Sequence, residues 1–199
     1  MSTTRSRPTA SAKAALLTAA AVAVTGRDPA GLARALGAAR RAGLGRRALE
    51  ELGLMLRLYA GYPASIEFLR ALDHAWPHAA ASRVARTVAR RRASQGAGRG
   101  EALCRRVYGP EYVRLRRFMQ RLHPDLDRWM LTEGYGDTLT RPGLTLRERE
   151  LATVAALAAL GWAQQLAAHE SGAVRVGASP LEVARARRIG QRCRARTRS

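Results

Sequence analysis

The sequence predicts an all-α protein, and three observations carry that expectation. Apolar residues make up 47% of the 199, most of them alanine and leucine, while aromatics are only 5% and β-branched residues are sparse, a composition that favours helix over strand. Apolar positions recur at three- and four-residue steps along the long segments, the period of a helix with one packed face. Helix-start signals punctuate the chain at Asp28-Pro29, at Thr145 with Glu148, and at Ser179 with Glu182, the latter two having the spacing of capping boxes. A chain of 199 residues suits one compact domain or two small ones and is long enough to bury a core.

Taken in order, residues 1–10 are expected to be disordered, 11–92 to form an N-terminal helical half, 93–100 a linker, 101–190 a C-terminal helical half, and 191–199 a frayed basic tail. Arg5, Arg7 and Lys13 precede the apolar run Ala14 to Val24, and Ala21-Val22-Ala23 has the form of a small-residue cleavage site, so a signal peptide competes here with a structural helix. Thr18 inside the run and an internal counterpart further along argue for the structural helix and a cytoplasmic protein. No segment reaches the roughly 20 apolar residues of a membrane span.

Asp28-Pro29 opens a helix ending near Gly43, and another begins at Gly45-Arg46 and runs to Tyr59. VARTVARRR, within Ala79 to Arg92, reads as an Arg-faced helix, and ASQGAGRG after it as a flexible linker. Tyr112, Leu115, Phe118, Met119 and Leu122 make one apolar stripe, expected to be core or subunit contact.

A weak repeat joins the two halves. Leu32, Ala33, Ala39, Arg41 and Gly43 lie 134 residues before Leu166, Ala167, Ala173, Arg175 and Gly177, each group with an alanine-rich helix in front and an acidic residue behind, Glu50 and Glu182.

The stretch from Thr145 to Gly177 organises the rest. It reads as two helices meeting at Gly161, with Glu150 on the packed side of the first and with Gln165 and His169 stacked four residues apart on the second. If the helices form a hairpin, Glu150 and His169 stand at comparable heights. A carboxylate beside an imidazole in apolar surroundings is a general acid/base pair, and a surface pair or a satisfied core histidine is the plainer alternative.

The formal charge is +20 and the pI about 11.7, values that ordinarily suggest a nucleic-acid or anionic-membrane partner. Lys13 is the sole lysine and the arginines are scattered rather than gathered into one stripe, which argues against nucleic acid and leaves a small anionic substrate as a partner. Cys104 and Cys193 form no metal or redox motif, although neighbouring arginines would be expected to depress a thiol pKa.

RPGLTLREREL followed by GWAQQLAAHESGAVRVGASPLEV resembles the carboxymuconolactone decarboxylase family, through Arg141, Gly143, Leu144, Arg147, Arg149, Glu150, Leu151, Gln165, Leu166, His169, Gly177, Glu182 and Val183. Pro124, Leu126, Trp129, Tyr135 and Gly136 match a segment that precedes this unit in the family. Tyr59, Gly61, Pro63 and Ala64 match one that ordinarily follows the histidine, so the halves stand in rearranged order. The C-x-x-C of the related alkylhydroperoxidase D-like branch is replaced by Trp162 and Gln165.

The resemblance implies an alkylhydroperoxidase D-like helical bundle built from two related helical-hairpin halves, assembling as a trimer or hexamer. It implies cofactor-independent lyase chemistry on a small carboxylated lactone or similar anion, with no metal. His169 would transfer the proton and Glu150 orient it, Arg141 or Arg147 would bind the carboxylate, and Gln165 and Tyr59 would hydrogen-bond the substrate. Arg141 sits before a helix N-terminus, where the dipole adds to its charge, and a salt bridge to Asp137 is its plainer alternative. Peroxiredoxin-like activity is disfavoured without the thiol pair, and a non-catalytic oligomerisation module with an Arg-rich surface is the remaining alternative.

Overall fold

The computed structural model describes residues 9–77 and 96–197. The helix expected from Ala79 to Arg92 lies outside them. Helix α1 spans Ala10–Thr25, α2 Pro29–Arg41 and α3 Arg46–Ala75; α4 spans Gly96–Tyr108, followed by a 3-10 turn at Gly109–Glu111, α5 at Tyr112–Leu122 and α6 at Pro124–Trp129. A π-helical segment occupies Met130–Leu139, and α7 (Leu146–Leu160), α8 (Ala163–Arg175) and α9 (Pro180–Arg196) complete the chain. No strand occurs among the described residues, as the composition predicts.

The start signals act as the sequence suggests. Asp28 Oδ1 accepts from Gly31 N at 2.6 Å, and both capping boxes are closed: the Thr145 side chain meets the Glu148 backbone and Ser179 meets that of Glu182, each acid reaching back to the cap. Residues of this kind satisfy amides that have no partner inside the helix. Glu182 does more than cap, because its Oε1 also takes Lys13 Nζ of α1 at 3.1 Å and Arg147 Nη2 of α7.

Helix α7 is the centre of the bundle. Every residue from Arg149 to Ala159 is buried, and α9, α1, α8 and α3 pack around it, which is why its sequence is apolar on all sides rather than striped. The run Ala14 to Val24 forms most of the buried helix α1, laid against α7. No helix of the described residues is long and apolar enough to cross a membrane.

Helix α3 contains a break. Gly61 has φ 75° and ψ 179°, a conformation open to glycine and strained for residues carrying a Cβ. The second leg folds back on the first, with the Ser65 hydroxyl donating to the Gly53 carbonyl and Phe68 and Leu69 packed where a Gly53 side chain would lie. Pro63, which has no amide hydrogen to give, falls in the first turn after the break, where that loss is harmless.

The repeat is visible as layout. Helices α2 and α8 have 13 residues each, and both of their ends stand 134 residues apart, as do the starts of α3 and α9. Gly43 and Gly177, at the same offset, both turn the chain at positive φ, 81° and 95°. Lys13 and Arg147 are another such pair, and both bind Glu182.

Several boundaries differ from expectation. Of the linker placed at 93–100, residues 96–100 begin α4, which packs along the π-helical segment. Helix α1 starts at Ala10, capped by Thr9, one residue inside the terminus expected to be disordered. The tail does not fray at 191, because Val183, Ala186, Gly190 and Cys193 form a buried stripe at helical spacing that carries α9 to Arg196. The stripe of α5 is not core: only Tyr112 is buried there, while Phe118 and Leu122 are 45% and 57% exposed.

Candidate active site

The hairpin expected at Gly161 forms, with that glycine left-handed at φ 82°, and it brings Glu150 and His169 together. His169 Nδ1 lies 2.9 Å from Glu150 Oε2. Glu150 is fully buried, while His169 keeps 9% of its surface exposed, so an incoming molecule meets the imidazole and not the carboxylate. Gly172, one turn beyond His169, makes the approach possible: a Cβ there would lie 2.8 Å from Val107 Cγ1 and 3.1 Å from Glu150 Oε2.

Tyr59 arrives from the end of the first leg of α3, just before the Gly61 break. Its hydroxyl is 2.7 Å from Thr153 Oγ1, and Thr153 shares a face with Glu150 three residues earlier. The Tyr59 ring stands edge-on to the imidazole, centroids 6.3 Å apart and planes at 89°. Tyr108 of α4 flanks the imidazole at 6.3 Å, and Tyr135 of the π-helical segment lies 6.2 Å beyond it. Burial, then the Glu150 charge, pushes the Tyr59 phenol well above its usual value, against the Thr153 hydrogen bond. Burial likewise raises Tyr108 to about 12, against its hydrogen bond with Tyr135, and raises Tyr135 strongly. All three phenols therefore remain protonated donors at neutral pH. Glu150 Oε1 is buried without a hydrogen-bond partner, so His169 supplies the polar contact of that carboxylate.

The other residues expected to touch substrate are placed elsewhere. Arg141 donates Nε and Nη2 to Glu51 at 2.8 and 3.0 Å, not to Asp137. Arg147 is engaged by Glu182. Gln165 is exposed on α8, one turn before His169: a four-residue step advances about 40° beyond a full turn, enough at the rim of a packed face to leave the side chain in solvent.

Behind the pair lies a buried charge cluster that the sequence reading does not anticipate. Arg149 has no exposed surface and donates Nη2 to Glu51 Oε2 at 3.2 Å and to the Arg141 carbonyl at 2.8 Å. Burial holds its guanidinium below the ordinary value, against the attraction of Glu51. Glu51 thus accepts from two arginines and ties the loop before α7 to α3.

Both cysteines are buried and free. Burial raises Cys104 to about 12 despite Arg116, and raises Cys193 despite Arg196 Nη2, 3.6 Å from its sulfur. The expectation of arginine-activated thiols is overturned, because the cost of burying a thiolate exceeds the attraction. Among the described residues, no three histidine, cysteine or acidic side chains gather to hold a metal.

Thr153, Tyr108, Tyr135, Glu51 and Arg149 complete the environment of the pair. Thr153 was findable from its three-residue step beyond Glu150. No local pattern marks Tyr108 or Glu51, which reach the cluster only through tertiary packing.

An all-helical bundle with a buried carboxylate–imidazole pair on a glycine-turned hairpin defines the class. Residues 124–195, α6 to α9, match the model of the Carboxymuconolactone decarboxylase family. No curated protein and no solved structure matches the chain. Tyr59 and Tyr108 lie outside the matched segment and come to it by folding.

Proposed function

We propose that this chain performs cofactor-independent acid/base chemistry of the carboxymuconolactone decarboxylase type on a small carboxylated lactone or similar anion. The observation that carries the reading is the contact of 2.9 Å between His169 Nδ1 and the buried Glu150 Oε2. In this reading Glu150 is the acceptor of the contact, Nδ1 bears the proton and Nε2 is the nitrogen left to exchange one with substrate. Loss of carbon dioxide leaves an electron pair on the substrate carbon. Protonated at Nε2 and stabilised by Glu150, His169 delivers the proton that quenches it, and the ring is recharged from solvent through its exposed edge.

Tyr59 and Tyr108, on either side of the imidazole, present aromatic walls and protonated hydroxyls. They favour a reaction that disperses a carboxylate charge. Arg141 and Arg147 already neutralise Glu51 and Glu182, so the reading rests on the pair and on Tyr59 rather than on these arginines or on Gln165.

The test is carbon dioxide release from a panel of carboxylated butenolides by the full chain, with His169→Gln as comparison and circular dichroism to match folding. The reading expects turnover by the native chain and a loss of about 10²- to 10⁴-fold in the variant, the usual contribution of a positioned acid/base group. Equal rates for the two proteins would remove His169 from the chemistry.

A further inference from the structure

A groove adjoins the pair without including it. Between α5 and α8 lies a groove of about 520 Å³, within the size range of small-molecule sites. Leu115, half-buried against the core, and the exposed Phe118 form one wall, and Ala167 and Ala168 form the other. Tyr108, whose ring centroid lies 6.3 Å from that of His169, also lines the groove.

The charges at the rim are unbalanced. The one acid there, Glu111, is taken by Arg114 at 3.0 Å. Among the described residues, Arg175 donates only to the neutral Val107 carbonyl, at 3.3 Å, and Arg121 has no hydrogen-bond or ion-pair partner. An apolar, aromatic floor beneath two uncompensated guanidiniums complements an anion with a flat apolar body. A second copy of the chain fits less well, since each copy carries a formal charge of +20 and would bring like charge to the rim.

We infer that the groove between α5 and α8 is a binding site for a small organic anion with an aromatic or otherwise flat apolar body, gripped by Arg121 and Arg175 over Phe118, with Tyr108 as the wall it shares with His169. Nothing in this assignment requires the Glu150–His169 pair to be catalytic.

The test is a fluorescence titration of the full chain with anilinonaphthalene sulfonate, repeated with the uncharged phenylnaphthylamine. The inference expects saturable binding of the anion, about tenfold weakening in each of Phe118→Ala and Arg121→Gln, and weaker binding of the uncharged dye. Arg40→Gln, a remote arginine over Trp76, should leave affinity unchanged. His169→Gln should also retain the dye, so loss of turnover in that variant and loss of binding in Arg121→Gln succeed or fail separately. Undiminished affinity in Phe118→Ala and Arg121→Gln, equal affinity for both dyes, or an equal loss in Arg40→Gln would overturn the assignment.

Discussion

Tyr59 and Thr153, 94 positions apart in sequence, meet hydroxyl to hydroxyl at 2.7 Å beside the imidazole of His169. The contact closes the site within one chain although the Tyr59 segment precedes the histidine unit. Thr153 is fully buried, so Tyr59→Phe leaves its hydroxyl without a partner and is expected to cost about 1–3 kcal/mol. In urea denaturation, Tyr59→Phe with Thr153→Val should cost less than the sum of the single changes. Strict additivity would show that the two hydroxyls do not interact.

Gly172→Ala should damage the pair without replacing either member. The added methyl would fall 2.8 Å from Val107 Cγ1 and 3.1 Å from Glu150 Oε2, and overpacking of this kind costs about 1–3 kcal/mol. A lowered thermal midpoint with reduced carbon dioxide release is the expected result, and a variant matching the native chain in both would show that the hairpin has slack.

Glu51 is predicted to matter more than its distance from the imidazole suggests. Glu51→Gln strips Arg149 of its counter-charge in a site with no exposure, and breaking a buried pair from one side costs about 3–5 kcal/mol. Denaturant midpoints should show Glu51→Leu combined with Arg149→Met more stable than Glu51→Gln alone, because no buried charge is then left unpaired.

Glu182 gives the fold an acid-sensitive joint. Burial opposes ionisation of its carboxyl, but the Ser179 backbone, Arg147 and Lys13 together outweigh burial and bring it from its ordinary 4.5 down to about 2. A folded value below the unfolded one stabilises above the unfolded value, and that contribution is lost as pH falls through the window from about 4.5 to 2. The stability difference between the native chain and Glu182→Gln should therefore shrink across that window in acid titrations followed by circular dichroism. A constant difference would show that the three-helix joint at Glu182 is not ionic.

Cys104 and Cys193 should resist maleimide at neutral pH and react fully only in denaturant, since both are buried with raised thiol values. Rapid labelling of the native chain would restore a thiol-based activity to consideration.

The C-terminal hairpin was legible in the sequence because its signals are local: a capping box, a glycine turn, and a carboxylate and an imidazole at matching heights on adjacent legs. The rest depended on packing that no short window encodes. Arg141 and Arg147 had the right character for an anion, but Glu51 and Glu182 reach them from distant helices. Gln165 had the right spacing and fell just past the edge of the buried face. Tyr108 reaches the site because α4 packs against both the π-helical segment and α8, while the glycine-rich start of α4 reads in sequence as a linker.

The orientation of the imidazole is the point on which the rest depends, and nitrogen-detected NMR of the ring, at a pH where it is neutral, reads it directly. The proposed mechanism, in which Glu150 Oε2 accepts across the 2.9 Å contact, expects the proton on Nδ1, with Nε2 showing the shift of an unprotonated nitrogen and coupling placing Nδ1–H toward the carboxylate. A neutral His169 carrying its proton on Nε2 would contradict the account.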